Sequence, residues 1–268
     1  MLHILASITE HWTFEDVIAH LKTRSEVQGL LLIGSFGRGN FSAASDYDLV
    51  IVLHEAPQSW YVGITTIEGR MADLLFVAAS AISAIQALAA PVSQEHTLAP
   101  IIRWLQSGHI IFDRNNQLLR AQQHIHSRTG LEPIHDDAAY GAWFAINYNL
   151  AVAQRLANTD DQLYRRTVTI RMAVYGHADI WFGYFTIRRM VWEGDKGAVG
   201  YLREHDLRFL ETYEHFITAS TPEHKLAHYT EAARQATAPL GGLWSPASTV
   251  MNIAHTEQIW QGLLRSEG

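Results

Sequence analysis

The sequence predicts an α/β region in the first half of the chain and an all-helical region in the second half. The first half contains short apolar runs of the kind that form buried strands, namely Leu30–Ile33, Leu49–Leu53 and Asp73–Val77. A segment rich in turn-forming residues, Ser127–Asp137, contains a glycine and a proline and is typical of a linker. All the segments after this linker are predicted to be helical.

The elements of the first half follow from capping and breaking signals. Trp12–Ser25 is predicted to be a helix, because Thr13 can serve as its N-cap and Asp16 can complete a capping box. After the three strands come three further elements, predicted as a helix at Ser80–Ala90 before Pro91, a helix at Leu98–Ser107 before Gly108, and a strand at His109–Phe112.

The second half divides into helices separated by glycine-containing turns. A long helix is predicted at Asp160–Trp192, with a break at Gly176 or Gly183. Turns are predicted at Gly194–Gly197 and at Gly241–Gly242. The remaining predicted helices are Ala138–Ala157, Ala198–His205, Leu207–Ala219, Pro222–Thr237 and Val250–Leu264.

Length and composition favour a globular protein of two modest domains. The chain has 268 residues, of which 48% are hydrophobic and 18% are charged, and this is enough for a full core. It contains no cysteine, which excludes disulfides and thiolate metal sites. The first residues lack the pattern of a signal peptide, and no uninterrupted apolar stretch is long enough for a membrane span. We therefore expect a cytoplasmic protein with no membrane partner.

The net charge limits the partners. The formal charge is −7, and the sequence shows no basic block of the kind that contacts a nucleic-acid backbone. We therefore expect no nucleic-acid partner. An acidic surface is compatible with a small cationic substrate.

The most informative segment places a Gly-Ser turn close to two aspartates. Gly34 and Ser35 follow the first strand directly, where backbone N–H groups and a hydroxyl can bind an anion. Asp46 and Asp48 introduce the second strand and, being two residues apart, face the same side. Two adjacent carboxylates repel each other unless a cation lies between them, and Mg²⁺ favours carboxylates together with substrate phosphates. The combination indicates phosphoryl or nucleotidyl transfer.

A third carboxylate is available on the next predicted strand. Asp73 is the only acidic residue in its apolar run. Its role is open: Asp73 can be a third metal ligand, the general base that takes a proton from the acceptor hydroxyl, or both in turn.

These residues, with their spacing and strand context, resemble the DNA polymerase beta-type nucleotidyltransferase superfamily. Along its length the chain is similar to the aminoglycoside and lincosamide (antibiotic) nucleotidyltransferases. The resemblance implies an α/β (α+β) nucleotidyltransferase domain with a mixed sheet at residues 1–126, and an all-α helical-bundle domain that binds substrate at residues 127–268. It also implies Mg²⁺ as cofactor, ATP or another nucleoside triphosphate as donor, and transfer of AMP to a hydroxyl of a small molecule such as an aminoglycoside-like antibiotic.

Four further residues are candidates for binding substrates. Arg38, shortly after the Gly-Ser turn, can contact phosphate, although an exposed turn arginine explains it equally well. The resemblance places a phosphate-binding lysine after the long helix, and Lys196 lies at that position. A solvated loop lysine explains Lys196 equally well. Arg70 and Asp179 are candidates for acceptor binding. Asp179 is the only acid between Asp161 and Glu193, and structural pairing with an arginine is the alternative.

Two other functions are compatible with the same pattern. One is a non-catalytic nucleotide-binding protein, such as an antitoxin-like or regulatory module. The other is an adenylyltransferase that modifies proteins. Because all three aspartates are present, an active enzyme is favoured over a non-catalytic module.

Overall fold

The computed structural model describes Ile8 and residues 11–34, 45–56, 60–128 and 130–245. The chain divides into two compact units, Met1–Pro133 and Ile134–Gly268. The first is α/β and the second is mostly helical, which confirms the predicted fold class. No helix in the described ranges is long and apolar enough to cross a membrane.

The first unit is built on a mixed five-stranded sheet. Its strand order is β3-β4-β2-β1-β5, in which β2 and β4 are parallel and the other neighbours are antiparallel. The strands are β1 (Val27–Ile33), β2 (Tyr47–Leu53), β3 (Trp60–Ile67), β4 (Arg70–Ala78) and β5 (His109–Asp113).

Helices cover both faces of this sheet. Helix α1 (Phe14–Thr23) begins with the predicted capping box, in which the Thr13 hydroxyl accepts from the Asp16 amide and the Asp16 carboxylate accepts from the Thr13 amide. It packs on one face through Phe14, Val17 and Leu21. The opposite face is covered by α2 (Ala79–Gln86), α3 (Ala99–Ser107) and α4 (Gln117–Arg128).

The second unit packs its helices around an aromatic core. Trp181, Tyr184, Phe185, Phe209 and Tyr229 are all buried in it. Its helices are α5 (Asp136–Ala157), α6 (Gln162–Tyr175), a π-helix (Gly176–Trp181), α7 (Phe182–Ile187), α8 (Gly194–His205), α9 (Leu207–Thr218), α10 (Pro222–Thr237) and a short 3₁₀ helix (Ala238–Leu240).

Several sequence-based predictions need correction. Strand β3 and helix α4 were not predicted. The turn predicted at Gly194–Gly197 is wrong, because α8 already begins at Gly194, where the indole N–H of Trp181 donates to the Asp195 carboxylate in the first turn. The helix predicted to reach Ala90 ends at Gln86, and the long helix ends at Ile187. The helix predicted at Val250–Leu264 lies outside the described residues.

Candidate active site

The glycine that ends the first strand lies directly against one of the predicted site carboxylates. Gly34 has a φ of +69°, a backbone conformation that favours glycine. A Cβ added there would lie 2.0 Å from the Oδ2 atom of Asp48. Any larger residue would therefore displace the carboxylate. Ser35 and Arg38, predicted to contact phosphate, lie outside the described residues.

Asp48 and Asp73 are neighbours on adjacent parallel strands. They are register partners in the β2–β4 pair, and neighbouring strands lie roughly 5 Å apart. Side chains alternate along a strand, and Val50 and Leu75, two residues further along, belong to the core beneath α2–α4. Asp48 and Asp73 therefore lie on the face of the sheet covered by α2–α4, at the end where the apolar side chains of β2 and β4 on that face stop.

Tyr47, the residue between Asp46 and Asp48, faces the other side of the sheet. The ring of Tyr47 stacks on Phe14 of α1, with ring centroids 4.5 Å apart. Its hydroxyl donates a 2.6 Å hydrogen bond to Oε2 of Glu68, and burial together with this bond raises the pKa of Tyr47 to about 12. Tyr47 is thus fixed on the α1 side, which holds Asp48 on the opposite side, as predicted from strand alternation.

Asp73 occupies an unfavourable position for a carboxylate. Its Oδ1 atom is buried and has no hydrogen-bond partner in the described structure. Burial raises the pKa of Asp73, and the negative charge of Asp46 raises it further. Asp46 is therefore close enough to Asp73 to act on it electrostatically, and its negative charge lies near the Asp73 carboxylate, one oxygen of which is buried.

The segment before β2 is held by the β3–β4 hairpin. Arg70, predicted as an acceptor-binding residue, donates from Nη1 to the carbonyl of Ser45, at a distance of 3.2 Å. Glu68, the partner of Tyr47, lies in the same hairpin turn and has a φ of +52°. These two supporting contacts were not predicted.

The carboxylates partly fit a divalent cation. In the part of the chain that the structure describes, no three His, Cys, Asp or Glu side chains are already gathered so as to hold a metal ion. Asp48 and Asp73 are nevertheless neighbours, and the buried Oδ1 of Asp73 lacks a partner. A cation would supply that partner and offset the charge of Asp46, so the donor set matches the preference of Mg²⁺ for carboxylate oxygen.

The two candidates in the helical unit have different environments. Asp179 lies in the π-helix, where its Oδ2 accepts a 2.6 Å hydrogen bond from Asn149, and Asn149 in turn accepts one from Arg171. Burial raises the pKa of Asp179, and the Asn149 bond and the charge of Arg171 partly oppose this. Lys196 is exposed in the first turn of α8.

Comparison with known proteins supports the same class of site. Residues 15–111, which include the Gly-Ser turn and all three aspartates, match the family described as "Nucleotidyltransferase domain". No curated protein gives a significant match. A solved nucleotidyltransferase-like protein from Exiguobacterium sibiricum is similar at 14% identity and a TM-score of 0.38, covering 93% of this chain and 87% of that one. A similarity at that level carries no weight in the assignment.

Residues 15–111 form a nucleotidyltransferase domain of the DNA polymerase beta-type superfamily. The chain is accordingly a transferase enzyme, and its general activity is nucleotidyl transfer.

Proposed function

We propose that this enzyme transfers AMP from ATP to a hydroxyl group of a small molecule and releases pyrophosphate. The observation that carries the proposal is the pairing of Asp48 with Asp73 beside Gly34, with one buried Asp73 oxygen left without a partner. A buried carboxylate oxygen without a partner lowers the stability of the folded protein, and groups that carry such a cost are common at functional sites.

In this proposal Asp46, Asp48 and Asp73 hold Mg²⁺. When bound, the ion offsets the negative charge of the triphosphate and of the departing pyrophosphate. Gly34 leaves room for the Asp48 carboxylate and gives the triphosphate access to the backbone, while Ser35 donates a hydrogen bond to its phosphates. Arg38 and Lys196 are proposed as further phosphate ligands.

The reaction exchanges one phosphorus–oxygen bond for another. The acceptor oxygen forms a bond to the α-phosphorus, and the bond from that phosphorus to the pyrophosphate oxygen breaks. The hydroxyl proton leaves the acceptor, and Asp73 is proposed to take it up. Asp73 is thereby proposed both as metal ligand and as general base.

The acceptor is proposed to be a cationic small molecule, as an aminoglycoside-like compound would be. The formal charge of −7 supports this, because it favours the approach of a cation over that of a polyanion. We propose that the helical unit selects the acceptor. Arg70 and Asp179 remain candidates for contacting it, and Asp179 already has Asn149 as a structural partner.

The test is to incubate the enzyme with ATP, Mg²⁺ and a panel of hydroxyl-bearing amines, and to measure both pyrophosphate release and the mass of the acceptor. The proposal predicts that an acceptor gains one AMP group only when Mg²⁺ is present. Parallel reactions with GTP, CTP and UTP test the choice of base. ATP binding without pyrophosphate release from any acceptor would instead favour a non-catalytic module, and AMP on added protein would favour a protein-modifying enzyme.

A further inference from the structure

The helical unit contains a pocket that is lined by residues of this unit alone. It lies among the π-helix, α8 and α9, and has a volume of about 600 Å³. This is within the range of small-molecule sites, roughly 300–1,000 Å³. Its apolar lining consists of Trp181, Val199, Leu207, Leu210, Tyr213 and Ile217.

Aromatic packing gives the pocket a fixed floor. Trp181 and Tyr213 are both buried, and their ring centroids are 4.5 Å apart. Gly176 allows α9 to pack closely on the π-helix, because a Cβ there would lie 2.5 Å from the ring of Phe216. The two rings therefore form a preformed apolar surface, supported from behind by the core. π-helical turns within helices occur frequently at functional sites.

The rim of the pocket exposes apolar side chains to solvent. Leu207 and Ile217 are 52% and 55% exposed, and both line the pocket. Both are large hydrophobic residues, and they sit at the two ends of α9 next to an open concave surface.

The charges that line the pocket are predominantly negative. Three carboxylates, those of Asp195, Glu211 and Glu214, line the pocket together with one guanidinium, that of Arg203, and the imidazole of His177, whose Nε2 lies 3.8 Å from Asp195 Oδ1. Asp195 accepts a 3.0 Å hydrogen bond from the Trp181 indole. No hydrogen bond or ion pair engages the carboxylates of Glu211 and Glu214 within the described ranges, so their charge is available to a ligand.

We propose that this pocket binds an amphipathic organic cation, a small molecule with an amino group attached to a ring or other apolar body. The apolar body would lie on Trp181 and Tyr213, and the ammonium group would face Glu211 and Glu214. A cation near an aromatic face and near carboxylates is attracted by both. This site lies in the helical unit alone and does not depend on the proposed transfer reaction.

The probe is 2-phenylethylamine, and 2-phenylethanol serves as a control of nearly the same shape without the charge. Binding is followed in the full-length protein through the indole N–H resonance of Trp181, assigned by its absence in Trp181→Phe. The amine should shift this resonance in a saturable way and bind about fivefold or more tightly than the alcohol. Its affinity should fall as salt rises.

Matched variants identify the carboxylates that matter. Glu211→Gln and Glu214→Gln should each weaken amine binding about two- to fivefold, the range expected for exposed ion pairs. Glu223→Gln removes an exposed acid from the first turn of α10, outside the pocket, and should leave binding unchanged. The proposal is overturned if the amine leaves the Trp181 resonance unmoved, if the alcohol or 3-phenylpropionate binds as well as the amine, or if all three variants bind equally.

Discussion

Replacing Gly34 with alanine tests the geometry of the proposed active site more selectively than removing a carboxylate. The new Cβ would lie 2.0 Å from Asp48 Oδ2, so the carboxylate must move by more than an ångström to reach ordinary contact at 3.4 Å. The left-handed backbone also becomes strained, at a cost of about 1–2 kcal/mol. A misplacement of about 1 Å at a reacting centre can lower the rate roughly a hundredfold.

Gly69→Ala is the matched control for Gly34→Ala. Gly69 also has a left-handed backbone, with a φ of +73°, but a Cβ there meets nothing within 4 Å. Both variants should lose a similar amount of stability, about 1–2 kcal/mol in urea unfolding. Only Gly34→Ala should show a rate of pyrophosphate release, with a confirmed acceptor, that is about a hundredfold lower. Equal activity of the two folded variants would refute the idea that Gly34 exists to make room for Asp48.

Three further substitutions test individual contacts. Asp73→Asn should abolish transfer yet stabilise the metal-free protein at neutral pH, because the raised folded-state pKa of Asp73 penalises its charged form. This gain should shrink as the pH falls through the raised folded-state pKa, and it should be gone below about 4, the ordinary pKa of an unfolded aspartate. Normal turnover would remove Asp73 from the site. Ser35→Ala should weaken ATP binding about tenfold in calorimetry, the value of one hydrogen bond to a charged group. Unchanged affinity would contradict its role. Tyr47→Phe should lose about 1 kcal/mol of unfolding free energy, because the bond to Glu68 disappears. An unchanged urea midpoint would show that this bond does not stabilise β2.

The central strands, and the side of the sheet on which Asp48 lies, were predictable because the local sequence pattern of these strands matches their buried position in the fold. Val27–Ile33 and Tyr47–Leu53 are buried almost throughout, so their apolar runs are visible in the sequence. Strand alternation then places Asp48 opposite Tyr47, and the structure agrees. The parallel pairing of Asp48 with Asp73 could be expected only from the family resemblance, because no local pattern specifies which strands become neighbours.

Strand β3 and helix α4 were not predicted because the hydrophobic patterns of their sequences are weak. Strand β3 is at the edge of the sheet, with Val62 and Ile64 50% and 70% exposed. A glycine lies between them, so the strand lacks a buried run. The Thr-rich sequence before the Glu-Gly turn was the available signal. Helix α4 buries only a narrow stripe, Leu118, Ala121 and Ile125, within an otherwise polar sequence. That spacing of three and four residues could have revealed it.

The start of α8 could not be predicted from local propensity. Two glycines in Gly194–Gly197 suggest a turn, and the helix there is supported by the tertiary bond from Trp181 to Asp195. The neutral partner of Asp179 was also unforeseen, since Asn149 is 30 positions away along the chain. The sequence predicts an arginine as the structural partner without choosing one, and in the structure Arg171 acts on Asp179 through Asn149.

The assignment of Asp48 to the active site is tested most directly by the rate of nucleotidyl transfer in Asp48→Asn. The rate is measured at saturating Mg²⁺ and ATP, with the confirmed acceptor. Asp160→Asn, which changes an exposed aspartate of the helical unit, is the control for the loss of one charge. We expect Asp48→Asn to fold normally and to lose at least about a hundredfold in rate, as when a group that stabilises transition-state charge is removed. Asp160→Asn should match the parent enzyme. A rate for Asp48→Asn within a few-fold of the parent would contradict the assignment of the active site.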